Sequence, residues 1–165
     1  MWPSYSNGEK ITKCNQGTEV KIHRESTSLF DQMDRQWVSY TGDNSSFWTH
    51  EYNSHGYCWI KKYNIVDYRD YFRKTLEIFN KNNLETLMRR AFGDLSGIQS
   101  FGAQQLEDKL QQTSGLFFDL DCISKDGEQY LREVRFYFDL NFNTYRDDKL
   151  PSSCNYSKPV HVIFQ

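Results

Sequence analysis

The chain has 165 residues, a length that fits one domain around a single core and leaves little room for two. Its formal net charge of −2 excludes a protein that grips long nucleic acid through a broad basic field, so any nucleic-acid partner is expected as a short stretch in a cleft. Aromatics make up 16% of the residues, which predicts a core built on rings.

No apolar run approaches the ~18 residues needed to cross a membrane. The opening Met1-Trp2-Pro3-Ser4-Tyr5-Ser6-Asn7-Gly8 has neither the basic nor the apolar region of a signal peptide, so the chain as written is expected to stay in the cytosol. Residues 1–20 are polar and turn-rich. Leu29, Phe30, Met33 and Trp37 then recur at helical spacing and predict a helix over 28–37. The loop at 41–46 ends on Ser45 and Ser46, whose hydroxyls suit an N-cap, and a second helix is predicted over 47–55 with Gly56 as its stop.

Tyr68, Tyr71, Phe72, Leu76 and Phe79 mark one face of a helix over 67–81, and Leu84, Leu87 and Met88 a further turn or two over 83–90. Leu106 and Leu110 give a helix over 102–113, ended by Ser114-Gly115. The period then changes. An apolar run at 116–122, a turn at Lys125-Asp126-Gly127 and alternation through Val134, Phe136, Phe138 and Leu140 predict a hairpin, followed by a last strand at 160–164. Helices in the middle and strands toward the end predict an α+β domain with an antiparallel sheet flanked by helices.

Cys14, Cys58, Cys122 and Cys154 contain no C-x-x-C pair, which argues against a zinc ribbon or a thioredoxin-type site and leaves disulfides or buried thiols. Asn44-Ser45-Ser46 and Asn155-Tyr156-Ser157 are N-glycosylation acceptors. Lys61-Lys62 and Arg89-Arg90 read as solvated basic pairs rather than a track for RNA.

The candidate chemistry sits at His50, Glu51 and His55. A metal site is the first reading of two His and one Glu, but His residues five apart are separated by ~140° on an ideal α-helix, so no metal is expected there. The same three groups, with Ser54, share one broad arc that suits phosphoryl chemistry on RNA. One group takes a proton from the ribose 2′-hydroxyl, another protonates the leaving 5′-oxygen, and donors stabilise the charge growing on phosphorus. Two solvated histidines on a surface helix are the bland alternative.

The segment Phe47-Trp48-Thr49-His50-Glu51-Tyr52-Asn53-Ser54-His55-Gly56-Tyr57-Cys58 resembles the second catalytic box of the ribonuclease T2 family, F-W-x-H-E-W-x-K-H-G-T-C, with Phe47, Trp48, His50, Glu51, His55, Gly56 and Cys58 matching position for position. Met1-Trp2-Pro3 looks like the end of that family's first box, H-G-L-W-P. Lys13-Cys14-Asn15, Trp37, Ser114-Gly115, Cys122, Glu133-Val134 and the apolar end at 160–165 extend the likeness over nearly the whole chain.

The resemblance implies a monomeric endoribonuclease, secreted or vacuolar, that needs no cofactor and acts on short single-stranded RNA. His55 would be the general base on the 2′-hydroxyl, His50 would bind phosphate, Glu51 would help stabilise the pentacoordinate state, and Trp2 would stack on a base. It also implies a disulfide between Cys14 and Cys58, and partners for Cys122 near Tyr137 and for Cys154 near Asp147 or Asp148, none of which is cysteine. Whether Cys122 and Cys154 pair with each other stays open. His23 and His161 match no catalytic position.

The sequence departs from the pattern at two places. The family's lysine before the second histidine of the box is Ser54, and the first-box histidine would lie two residues before Met1. The expectation is a chain truncated within the first box, lacking the N-terminal strand, with an exposed apolar sheet edge and little or no cleavage activity. The competing readings are a degenerate relative that binds RNA or protein without chemistry, and a cytosolic zinc or structural protein.

Overall fold

The computed structural model describes residues 19–56, 59, 65–138 and 152–164. The chain divides between Asn82 and Asn83 into two compact units. Among the described residues no helix is long and apolar enough to cross a membrane.

The first unit is helical. Helix α1 runs Ser28–Gln36, α2 runs Asn44–Glu51 and continues as a π-helical turn Tyr52–Gly56, and α3 runs Tyr68–Lys81. The cap of α2 is not one of the serines: Asp43 accepts from the Ser46 backbone N–H at 2.7 Å, and the shorter-range carboxylate outcompetes the hydroxyls at the positive end of the helix. Asp67 caps α3 in the same way, accepting from the N–H groups of Arg69 and Asp70. Phe30, Met33, Trp48, Tyr52, Tyr71, Phe72 and Leu76 form the core with Ile22 and Ile65. Trp48 is fully buried, stands edge-on to Phe30 at 5.5 Å, and donates its indole N–H to the Trp37 carbonyl at 2.8 Å, so no polar group is lost with it. Phe79, expected on the core face of α3, is 47% exposed; the apolar stripe turns away from the core before the last turn of the helix.

The second unit holds the sheet. Helix α4 runs Leu84–Phe92, strand β1 Gly97–Gly102, helix α5 Ala103–Ser114, and strands β2, β3 and β4 run Phe118–Lys125, Glu128–Phe136 and Pro159–Phe164. The α+β class is as expected. The strand order is β1-β4-β3-β2, with antiparallel pairing of β1 with β4 and of β2 with β3, and a parallel junction of β3 with β4 at Tyr130 and His161. The sheet is therefore mixed. Strand β1 escapes sequence reading because Gly97-Ile98-Gln99-Ser100-Phe101-Gly102 is bounded by glycines and half polar; pairing with β4 makes it a strand. Asp126 and Gly127, at φ 53° and 82°, form the two-residue hairpin turn that Asp-Gly predicts. Val160 and Val162 of β4 and Leu120 of β2 pack on Leu87, Met88, Leu106 and Leu110 of the two helices, whereas Ile98 and Ile163, paired with each other across β1 and β4, are exposed.

Cys122 and Cys154 pair, with Cα atoms 4.9 Å apart. Two half-cystines whose implied partners are absent from the sequence have thus joined each other. Beside them the register of β2 and β3 shifts between Asp121 and Cys122, leaving Arg132 as the extra residue of a bulge. The buried Asp121 carboxylate meets Arg132 at 2.5 Å and Arg135 at 3.1 Å and accepts the Ser153 hydroxyl at 2.7 Å. The hydrogen bond from Arg132 above all holds its carboxyl below the usual carboxylate range. A carboxylate depressed in this way stabilises the fold above its unfolded pKa, and that stability is lost as pH falls through the folded value. The unfolding midpoint should therefore drop below about pH 4. Asp121→Asn should cost about 1.5–3 kcal/mol at neutral pH and flatten that acid limb; a variant as stable as its parent, with the limb intact in thermal melts, would contradict the assignment.

Candidate active site

The site is built where α2 gives way to the π-helical turn. In that turn hydrogen bonding reaches from residue i to i+5, so residues five apart come round to nearly the same direction instead of diverging as they do on an α-helix. His55 lies in that turn and His50 in the last turn of α2, so the pair spans the change of pitch. Their rings stand 6.1 Å apart, edge to face at 88°. With Glu51 they offer one nitrogen or oxygen each within 4.8 Å of one another. The ~140° separation that counted against a shared ligand therefore does not apply, because the segment is not α-helical through His55.

Three contacts hold the turn. Gly56 is needed for close approach: a Cβ there would lie 2.7 Å from Cδ2 of Tyr52 and 3.0 Å from the ring of Tyr71. Tyr52 and Tyr71 are both buried, 5.8 Å apart, and Tyr52 also faces Tyr68 and Phe72. Asn53 secures the outer side. Its side-chain amide donates to the carbonyls of Val20 and Thr49, each at 2.8 Å, and its oxygen accepts from the Val20 N–H at 3.1 Å. The Thr49 hydroxyl accepts from the Ile22 N–H at 2.9 Å. The extended segment before α1 is thus tied to the site by side chains acting as strand partners.

Burial grades the three groups. Glu51 is 7% exposed, His55 half-buried and His50 exposed. The Tyr71 hydroxyl is pushed well above its usual range, first by burial and then by the negative charge of Glu51. Ser54 lies one turn from His50, its hydroxyl 3.4 Å from Nδ1. A cavity of about 400 Å³ in this unit is lined by Glu25, Leu29, Gln32, Arg69, Arg73 and Asn80 among others and includes none of the three groups. Its Glu25 is held below the usual carboxylate range by Arg69, a surface arrangement remote in character from acid–base chemistry. Trp2, Cys14 and Cys58 lie outside the described residues.

A histidine pair and a buried carboxylate on one wall can hold an oxyanion and move a proton. The sequence pattern carrying them matches the model of the Ribonuclease T2 family over residues 1–158. The chain belongs to the Ribonuclease T2 family. It is 29% identical over 156 residues to a Ribonuclease T2-like protein of Emericella nidulans, covering 85% of this chain and 36% of that protein. It is 34% identical over 84 residues to Ribonuclease DdI of Dictyostelium discoideum, covering 51% and 36%. The chain spans about a third of the length of these two curated relatives. Among solved structures, Japanese pear S3-RNase superposes with a TM-score of 0.77 at 19% identity, covering 97% of this chain and 82% of that one. A mutant of RNase MC1 in complex with 5′-GMP gives 0.76 at 25% identity, with 99% and 81% covered.

Asn53 and Gly56 of the box and Tyr71 of α3 support the turn; the sequence marks Gly56 as a helix stop and Tyr71 as a core residue, but not their contact. Gly56→Ala should force Tyr52 and Tyr71 apart and cost about 1–3 kcal/mol. Urea unfolding would show it, and an alanine variant of unchanged midpoint would mean that the glycine is not what closes the turn.

Proposed function

We propose that this chain acts on RNA as a T2-type endoribonuclease, through a 2′,3′-cyclic phosphate. His55 takes the proton of the 2′-hydroxyl as its oxygen bonds to phosphorus, the P–O5′ bond breaks and the leaving 5′-oxygen takes a proton from water, His50 binds the phosphate, and Glu51 helps stabilise the pentacoordinate phosphorus, the half-buried imidazole serving as base while the exposed one meets the solvent-borne anion. Trp2 stacks on a base, an interaction worth ~1–3 kcal/mol that tolerates many sequences. The observation supporting this reading is the convergence of His50, Glu51 and His55 within 4.8 Å on one wall.

Ser54 favours a second reading, a relative that has kept the fold and RNA or protein recognition and lost chemistry. Where the family pattern has a lysine, a fixed positive charge is missing from the transition-state clamp, at a cost on the order of 100-fold. Cleavage by this chain is therefore proposed to be weak. The disulfide Cys122–Cys154 suits an oxidising compartment, secretory or vacuolar. Of the two glycosylation acceptors, Asn155 is exposed, whereas the Asn44 amide nitrogen donates to Asp34. A glycosidase-sensitive mass on Asn155 would support that placement, and reduced, unmodified protein from cells would sink it.

The purified chain, incubated with RNA near pH 5, should release 2′,3′-cyclic phosphate ends slowly, and His55→Ala should lower the rate at least ~100-fold. Ser54→Lys should raise it. If neither the parent nor Ser54→Lys releases such ends, the binding reading replaces this one; if His55→Ala keeps normal turnover, the roles are wrong.

A further inference from the structure

The turn that carries His55 is braced from outside the histidine cluster. We propose that Glu25 is a positioning residue for the His50–His55 pair, acting through Tyr68 and Tyr52. The extended segment 19–27 links α2 to α3 and is fastened to both. At α2 the fastening is the pairing of Val20 with the Asn53 amide and of the Ile22 N–H with the Thr49 hydroxyl. At α3 it is Glu25: Oε1 accepts from the Tyr68 hydroxyl at 2.6 Å and from Nη2 of Arg69 at 2.5 Å, and Oε2 accepts from Nε of Arg69 at 3.2 Å. The two guanidinium bonds form a fork on one carboxylate, a geometry that fixes direction as well as distance. Arg69 also donates to Asp67, the cap of α3, and its guanidinium carbon lies 4.5 Å from the centre of the Tyr68 ring.

Tyr68 is thereby fixed at its hydroxyl and on one face of its ring, and that ring meets the ring of Tyr52 at 6.1 Å, close to perpendicular at 76°. Tyr52 is the first residue of the π-helical turn and lies three residues before His55. Its contacts with Tyr71 and Phe72 are ring packing from the buried face of α3; Tyr68 adds a ring whose orientation is set by an ion pair. With Tyr68 loosened, Tyr52 gains room to turn. The π-helical turn, whose hydrogen bonds are poorer than those of an α-helix, then relaxes toward the α pitch that carries His55 away from His50. The side chains of Glu25 and Arg69 are 31% and 42% exposed, so a pair that adds little to stability acts on the site by orientation, and moves no proton. Its effect on cleavage rests on the ribonuclease reading; its effect on ring geometry does not.

The test is the nuclear Overhauser cross-peak between the His50 and His55 rings of histidine-labelled protein without RNA, read beside RNA cleavage near pH 5. Glu25→Ala should abolish the cross-peak and lower kcat ~10-fold or more while KM stays within about 2-fold. Glu25→Gln, which still accepts from Tyr68, should recover part of both. Tyr68→Phe, which keeps the ring and loses the hydroxyl, should fall between the parent and Glu25→Ala. Arg73→Ala breaks the exposed pair with Asp70 on the same helix and should match the parent. Thermal melts identify any variant that fails to fold, and Glu25→Gln and Tyr68→Phe carry the test if Glu25→Ala is one of them. A parent-like cross-peak in folded Glu25→Ala and Tyr68→Phe overturns the proposal; so does an equal loss in Arg73→Ala, which would make the effect a general loosening of α3. A cross-peak that responds as expected in a chain that cleaves no RNA supports the brace and removes only the ribonuclease reading.

Discussion

A π-helical turn survives only where something offsets its poorer hydrogen bonding, and at Tyr52–Gly56 the offset is aromatic packing. Gly56 lets the backbone lie against the rings of Tyr52 and Tyr71, so closely that a single methyl group would collide with both. The widened turn then carries His55 round to the side of His50 and leaves Glu51 buried between helix and core. Every chemical property attributed to the site follows from that placement. On a continuous α-helix the two imidazoles would face directions ~140° apart and would not approach each other as closely.

The helices with strong apolar periodicity were legible in the sequence, because burial of a stripe such as Phe30 and Met33 decides their conformation locally. The hairpin was legible for a different reason: Asp126-Gly127 supplies the positive φ values that a tight turn demands. What stayed hidden depends on partners distant in the chain. Strand β1 exists by pairing with β4, the parallel junction at Tyr130 and His161 has no local signature, and the union of Cys122 with Cys154 depends on a 4.9 Å approach that spacing does not encode. The identities of His50, Glu51 and His55 were legible as a box, but their convergence was not, since a π turn is set by the ring of Tyr71 fifteen or more residues further on.

In the second unit the same economy applies to charge. Asp121 is buried at a bulge because Arg132, the extra residue, and Arg135 both reach it, and Ser153 closes the remaining side. Neighbouring hydrogen bonds from the Ser152 hydroxyl to Leu120 and from the Cys122 N–H to Ser153 fasten the segment before β4 to β2, beside the disulfide. The bridge and the polar network lie together, so covalent and electrostatic constraints fall on the same few residues.

The substitution of serine for lysine at position 54 gives the box its individual character. Relative to the lysine that the resemblance implies, it brings no fixed charge to the cluster of His50, Glu51 and His55. The geometry of that cluster can be observed without any ligand. With only four histidines in the chain, a nuclear Overhauser spectrum of histidine-labelled protein is directly readable. The account predicts cross-peaks between the imidazole ring protons of His50 and His55. Their absence, together with the i to i+4 pattern of an unbroken α-helix through Gly56, would contradict it.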